Sequence, residues 1–116
     1  MTEAHENIRA SLLNTLSFLA SQTQQQEFAA KVFYDSYQDE FACWWFDTFF
    51  PNEQDALEMF TAKQIAILRR FTNAFENCLK TLGSGPLRIE QLHAKAEWQS
   101  LIVEAQATVS DVENAI

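Results

Sequence analysis

Apolar residues recur every three or four positions along most of this chain, which is the spacing of one face of an α-helix. The first series predicts a helix that begins near Thr2 or Glu3. Its main apolar members are Ile8, Leu12, Leu16 and Leu19. The polar run SQTQQQ, residues 21–26, interrupts the series and is either a loop or a polar turn within a continuing helix, because glutamine is a fair helix former. A second segment, marked by Phe28, Val32 and Phe33, is expected to end around residues 34–36.

The third predicted helix covers about residues 37–50. Ser36 and Asp39 resemble an N-cap and an acid in the first turn. Pro51 ends the segment, because the residue before a proline is pushed out of the helical region. The connector PNEQDALEM that follows is expected to be partly helical.

The clearest helix signal starts at Thr61, which forms a capping-box pattern with Gln64. Apolar residues then follow at helical spacing until Gly83, which is expected to end the helix. These residues are Ile65, Leu68, Phe71, Phe75, Leu79 and Leu82.

A last helix is predicted from about Ile89 towards Val109 or beyond, and the final segment SDVENAI is expected to fray. The pattern as a whole predicts one all-α domain over residues 1–116, a bundle of four to six antiparallel helices. Two glycines and two prolines are too few for most all-β or nucleotide-binding folds, which supports this class.

Composition limits the possible partners. A formal net charge of -8 disfavours binding to nucleic acid or to an anionic membrane and favours a basic partner. No apolar run approaches the roughly 20 residues that span a bilayer, and the start of the chain carries acids where a secretory signal needs bases, so we expect a cytoplasmic protein. Cys43 and Cys78 lie in apolar helical contexts and are interpreted as reduced core thiols.

The stretch CWWFDTFF, residues 43–50, holds more aromatic side chains than one core-facing stripe needs. On a helix, Phe46, Phe50 and Cys43 fall outside the main apolar face and next to the acids. A helix that is apolar nearly all round is usually central to its bundle. Alternatively, Phe46 or Phe50 is a surface anchor for a protein partner.

Residues 32–62, here called the acidic window, contain no lysine or arginine. Such a run is either a solvated face or a field that steers a basic partner. Its acids are Asp35, Asp39, Glu40, Asp47, Glu53, Asp55 and Glu58. The candidate partner-binding residues are therefore Asp39, Glu40, Asp47, Glu53, Asp55 and Glu58, with Phe46 and Phe50.

No catalytic constellation is found. Glu90 and His93 have the Glu-x-x-His spacing of di-iron bundles, but no second pair is present, and His5 has no glutamate three residues before it. The apolar surroundings of both cysteines would raise a thiol pKa rather than lower it. With no glycine-rich phosphate loop either, we assign no metal, no cofactor and no catalytic residue, and expect a protein that is not an enzyme.

One ordered set of motifs resembles a family. The set is Trp45, Phe46, Asp47, Phe49 and Pro51, then Phe60, Thr61, Gln64, Leu68 and Phe71, and finally Trp98. This order is similar to that of small bacterial all-helical immunity proteins, which are partners of secreted toxins in contact-dependent growth inhibition. Gln64 stands where a glutamate is common in that family. The motif carries no binding residues, so the site residues above rest on charge and periodicity.

The resemblance implies an immunity protein that binds and neutralises a cognate bacterial toxin domain of nuclease type, and the acidic window implies that this domain is basic. Two alternatives stay open. One is an acidic adaptor or secretion chaperone, and the other is a structural homo-oligomer closed by the surplus aromatic side chains. A monomer is the favoured state.

Overall fold

Every regular element in the computed structural model is an α-helix within the described residues, which are 2–48, 53–83 and 85–115. The helices are α1 (Glu3–Leu19), α2 (Gln22–Lys31), α3 (Tyr37–Thr48), α4 (Glu53–Met59), α5 (Ala62–Leu82), α6 (Ile89–His93) and α7 (Ala96–Asn114). The all-α class is confirmed. The described residues form seven helices, so the predicted count of four to six was too low.

The polar run after α1 begins a separate helix. Ser21 is the N-cap of α2, and its hydroxyl accepts a hydrogen bond from the backbone N–H of Gln24 at 3.1 Å. Ser21 itself has an extended backbone, which separates α2 from α1. The run SQTQQQ is therefore neither a loop nor part of a continuing helix.

The segment predicted as one last helix is also divided. Lys95 has an extended backbone between α6 and α7. On one continuous helix, Leu92 and Trp98 would project about 120° apart. Both side chains are fully buried in the structure, because the break reorients α7 relative to α6.

The predicted capping box is confirmed at the start of α5. The Thr61 hydroxyl accepts from the Gln64 N–H at 3.1 Å, and the Gln64 side-chain oxygen accepts from the Thr61 N–H at 3.0 Å. The Gln64 amide nitrogen also donates to the backbone carbonyl of Val112 at 3.0 Å, which ties α5 to the end of α7. Val112 and Ala115 are buried there, so the prediction that the final segment frays was wrong.

The core lies where α5 and α7 pack together, with α1 against α7 and α3 against α1. Its largest members are Phe41, Trp45, Phe71, Phe75 and Trp98. Trp45 packs edge-to-face on Phe71, with ring centroids 5.0 Å apart. Trp98 lies between Phe41 and Phe75, at centroid distances of 6.2 and 5.8 Å. Aromatic side chains from α3, α5 and α7 therefore meet in one cluster.

The two cysteines differ in environment. Cys78 is buried, and burial together with the nearby Glu97 raises the pKa of its thiol to about 11. Cys43 is exposed, so its interpretation as a core thiol was wrong. Its position explains the exposure, since it lies one helical turn from both Asp39 and Asp47 on the polar side of α3.

None of the described helices combines the length and the apolar character that crossing a bilayer requires.

Candidate partner-binding surface

The outer side of α3 presents a line of exposed residues at steps of four. Asp39, Cys43 and Asp47 form this line, which we call the α3 stripe. Neither aspartate makes an ion pair with any part of the chain that the structure describes. Two negative charges are therefore available to a partner on one helix face.

Glu40, beside the stripe, already has an internal role. It is half-buried, and its carboxylate accepts a hydrogen bond from the indole N–H of Trp44 at 3.0 Å. Trp44 in turn packs edge-to-face against Phe18 and Phe28, at centroid distances of 5.3 and 4.9 Å. Glu40 thus helps to fix Trp44, and its half-buried carboxylate is less accessible to a partner than those of Asp39 and Asp47.

The two aromatic candidates of α3 differ in what the structure describes. Phe46 is half-buried and packs against Phe75 in the core, with ring centroids 5.4 Å apart. Phe50 lies outside the described residues. The role of either residue as an anchor stays a prediction, and the contact with Phe75 shows that Phe46 supports the core.

Phe33 is the most exposed large apolar side chain in the described ranges, at 78%. It follows α2, which ends at Lys31. Sequence reasoning placed it on the same helical segment as Phe28. Five positions of helix turn a side chain about 140° away from its starting direction, and this offset was the signal that could have separated Phe33 from the buried face.

The backbone on both sides of Phe33 is fixed by Tyr37. The Tyr37 hydroxyl donates to the carbonyl of Val32 at 2.8 Å and accepts from the N–H of Tyr34 at 3.4 Å. The Tyr34 ring stacks on Phe28 with centroids 5.8 Å apart. An exposed phenylalanine held in this way loses little freedom on binding, which favours its use as an anchor.

The acids of α4 are arranged differently. Asp55 and Glu58 lie beside His5 of α1, with Asp55 Oδ1 4.0 Å from His5 Nε2 and Glu58 Oε2 3.0 Å from His5 Nδ1. Glu53 begins α4, and its side chain lies outside what the structure describes. The acidic window therefore contains two arrangements, the unpaired α3 stripe and a pair of carboxylates next to a histidine.

A buried glutamine connects α2 to three other helices, α1, α6 and α7. Gln25 of α2 is fully buried, and its amide nitrogen donates to the carbonyls of Phe18 and Leu19 at 3.3 and 3.1 Å. Its oxygen lies 3.0 Å from the indole nitrogen of Trp98 and 2.8 Å from Nε2 of His93. We call these contacts the Gln25 network. The sequence did not reveal it, because a glutamine within a polar run carries no signal of burial.

The Gln25 network fixes the tautomer of His93. A flipped amide would direct its NH₂ group at the indole N–H, so the Gln25 oxygen is the acceptor for both neighbours. His93 therefore carries its proton on Nε2. Its Nδ1 is buried and has no hydrogen-bond partner among the described residues.

Stability should fall on mild acidification because of His93. Burial lowers the pKa of this imidazole, and the opposing effect of Glu90 is smaller. In the unfolded chain the pKa of His93 has its ordinary value of about 6.5, so the unfolded chain binds more protons than the folded chain when the pH falls below that value. The contribution of neutral His93 to stability is therefore complete above about pH 6.5. It is lost as the pH falls from there towards the folded-state pKa.

The measurement is the free energy of unfolding in urea between pH 7 and pH 5.5 for the wild type and for His93→Gln, which keeps a donor for Gln25 but does not titrate. The wild type should lose more stability than the variant over this range. Equal losses would show that His93 does not contribute.

Comparisons with models of protein families, with curated proteins and with solved structures found no match for this chain.

Proposed function

We propose that this protein is an immunity protein that binds and neutralises a basic bacterial toxin domain of nuclease type, and that it acts by binding rather than by catalysis. The observation that carries the proposal is the α3 stripe, where Asp39 and Asp47 are exposed with no cation paired to them in the described ranges. The resemblance in motif order supports the same class.

The charge distribution supports a basic partner. All eight lysines and arginines lie outside residues 32–62. An uncompensated field costs self-repulsion, and its benefit is faster association with a molecule of opposite charge. The α3 stripe supplies this field from a rigid helix, so the charges keep fixed positions relative to one another.

Phe33 supplies the apolar component. Interfaces typically combine a few buried aromatic anchors with a charged rim. Phe33 is followed within six residues by the exposed acids Asp35 and Asp39, and its backbone is fixed by Tyr37. A partner with an apolar pocket edged by lysine or arginine fits this combination.

Inhibition would follow either from covering the active site of the toxin or from holding the toxin in a shut or misfolded state. An adaptor or secretion chaperone would bind the same partner without protecting cells from it. A structural homo-oligomer would need its own acidic faces to stay apart, because like charges at an interface repel.

Reversing the charge of the α3 stripe should abolish protection. The variant is Asp39→Lys with Asp47→Lys, and Glu40 is kept because it bonds Trp44. Two close charge pairs at about 1.5 kcal/mol or more each correspond to a loss of affinity of roughly a hundredfold or more. The measurements are the association rate and affinity for the protein that the neighbouring upstream gene encodes, over a salt series, and rescue of cells that express that protein.

The matched control is Glu104→Lys with Glu113→Lys, two exposed acids of α7 that give the same change in net charge. For the anchor, Phe33→Ala is compared with Val103→Ala, another exposed apolar residue. Wild-type affinity and protection in a folded stripe variant would refute the proposed surface. Binding without protection would indicate an adaptor, and a stable dimer by light scattering would indicate the homo-oligomer.

A further inference from the structure

We propose that His5, Asp55 and Glu58 bind one divalent transition-metal ion between α1 and α4, with Zn²⁺ as the reference metal. One donor atom from each of the three side chains lies within 4.8 Å of the other two. This is a mixed set of one imidazole and two carboxylates. It is independent of the toxin-binding surface proposed above.

The contact between His5 and Glu58 is the first argument. Nδ1 of His5 and Oε2 of Glu58 are 3.0 Å apart, yet the buried Nδ1 has no hydrogen bond with the described residues. Two atoms that share a metal at about 2.0–2.2 Å, with angles of about 90–110°, are themselves roughly 3.0–3.4 Å apart. The observed separation therefore matches an edge of a coordination shell.

The electrostatics of α4 provide the second argument. Asp55 and Glu58 lie three positions apart on one helix face, where like charges repel. Glu58 also lies near the carboxyl end of α4, which disfavours anions, and the last turn of this helix has no basic residue. Both carboxylates are about half exposed, at 50% and 51%, so an ion can reach them from solvent.

The donor set selects the class of metal. An imidazole nitrogen suits Zn²⁺, Co²⁺, Ni²⁺ or Cu²⁺, whereas Mg²⁺ and Ca²⁺ prefer sites built from oxygen alone. The His5 side chain is mostly buried, at 17% exposure, so its orientation is limited before a metal arrives. Three protein donors leave at least one further position for water.

The ion would join two helices that are already linked one turn away. Arg9 lies four residues after His5, and its Nε donates to the carbonyl of Met59 at 3.2 Å. Its guanidinium carbon also lies 5.3 Å from the centre of the Phe60 ring. Metal binding would therefore tighten an existing contact between α1 and the end of α4 and raise the stability of the folded chain.

The test is thermal unfolding and titration calorimetry of the full chain after treatment with a chelator and its removal. Zn²⁺ should bind with 1:1 stoichiometry and, at about a hundred times its Kd, raise Tm by several degrees, while Mg²⁺ should not. His5→Ala and Glu58→Gln should each remove the shift.

The controls are Glu6→Gln, an exposed acid of the first turn of α1, and His93→Gln at the other histidine, and both should keep the response to Zn²⁺. Circular dichroism establishes that each variant is folded. If His5→Ala does not fold, His5→Gln replaces it, since this side chain fills the same space. No shift with Zn²⁺, an unchanged shift in the folded His5 variant, or loss of the shift in His93→Gln would each overturn the proposal.

Discussion

Replacing Gln25 by methionine should destabilise the protein by roughly 3–5 kcal/mol, since each buried polar group left without a partner costs about 1–3 kcal/mol. Methionine keeps nearly the same volume but removes both functions of the amide. The indole N–H of Trp98 and the Nε2–H of His93 lose their acceptor, and the carbonyl of Leu19 loses a donor. Such a loss is a large part of the roughly 5–15 kcal/mol by which domains are stable.

The measurement is urea unfolding of Gln25→Met and of Gln24→Met, its exposed neighbour on α2. The Gln24 variant should change stability by less than about 0.5 kcal/mol. If the two variants lose similar amounts, the Gln25 network does not stabilise the fold.

Trp45→Ala should cost about 3–5 kcal/mol, mainly through the cavity that it leaves. Trp45 is fully buried, and its indole N–H donates to the hydroxyl of Thr72 at 3.0 Å. Thr72 would keep one hydrogen bond, because its hydroxyl donates to the carbonyl of Leu68 at 2.9 Å. The loss therefore measures packing more than polar contacts.

Two variants serve as references for Trp45→Ala in the same unfolding assay. Trp44→Ala truncates the neighbouring, half-buried indole and should cost less. Trp45→Phe keeps most of the ring volume and isolates the contribution of the indole N–H. A loss below about 1 kcal/mol in Trp45→Ala would contradict its placement in the core.

Helix positions were predictable where the signal is local. The capping box at Thr61 and the stop at Gly83 depend on residues within one turn, and both lie where the sequence predicts. The break at Lys95 was not predictable from local sequence. It allows both Leu92 and Trp98 to be buried, and this burial depends on contacts with helices that are distant in the sequence. The prediction that the last segment frays was wrong because it also ignored a distant contact. Gln64 of α5 donates a hydrogen bond to the backbone carbonyl of Val112 in this segment.

In the candidate site, too, local features were predictable from the sequence and contacts between distant residues were not. Periodicity correctly placed Asp39 and Asp47 on the polar side of α3. It did not show that Glu40 bonds Trp44, or that Phe33 is exposed. The group formed by His5, Asp55 and Glu58 joins residues about fifty positions apart, and spacing along one helix cannot detect donors contributed by another.

The position of Trp98 in the core has a consequence for how the protein is made. During translation, α1 to α6 leave the ribosome before α7, yet Trp98 of α7 lies between Phe41 and Phe75 in the core. The nascent chain therefore carries an incomplete aromatic cluster until α7 emerges. Exposed apolar surface of this kind promotes aggregation and is bound by chaperones. We therefore expect chaperones to bind this chain during its synthesis.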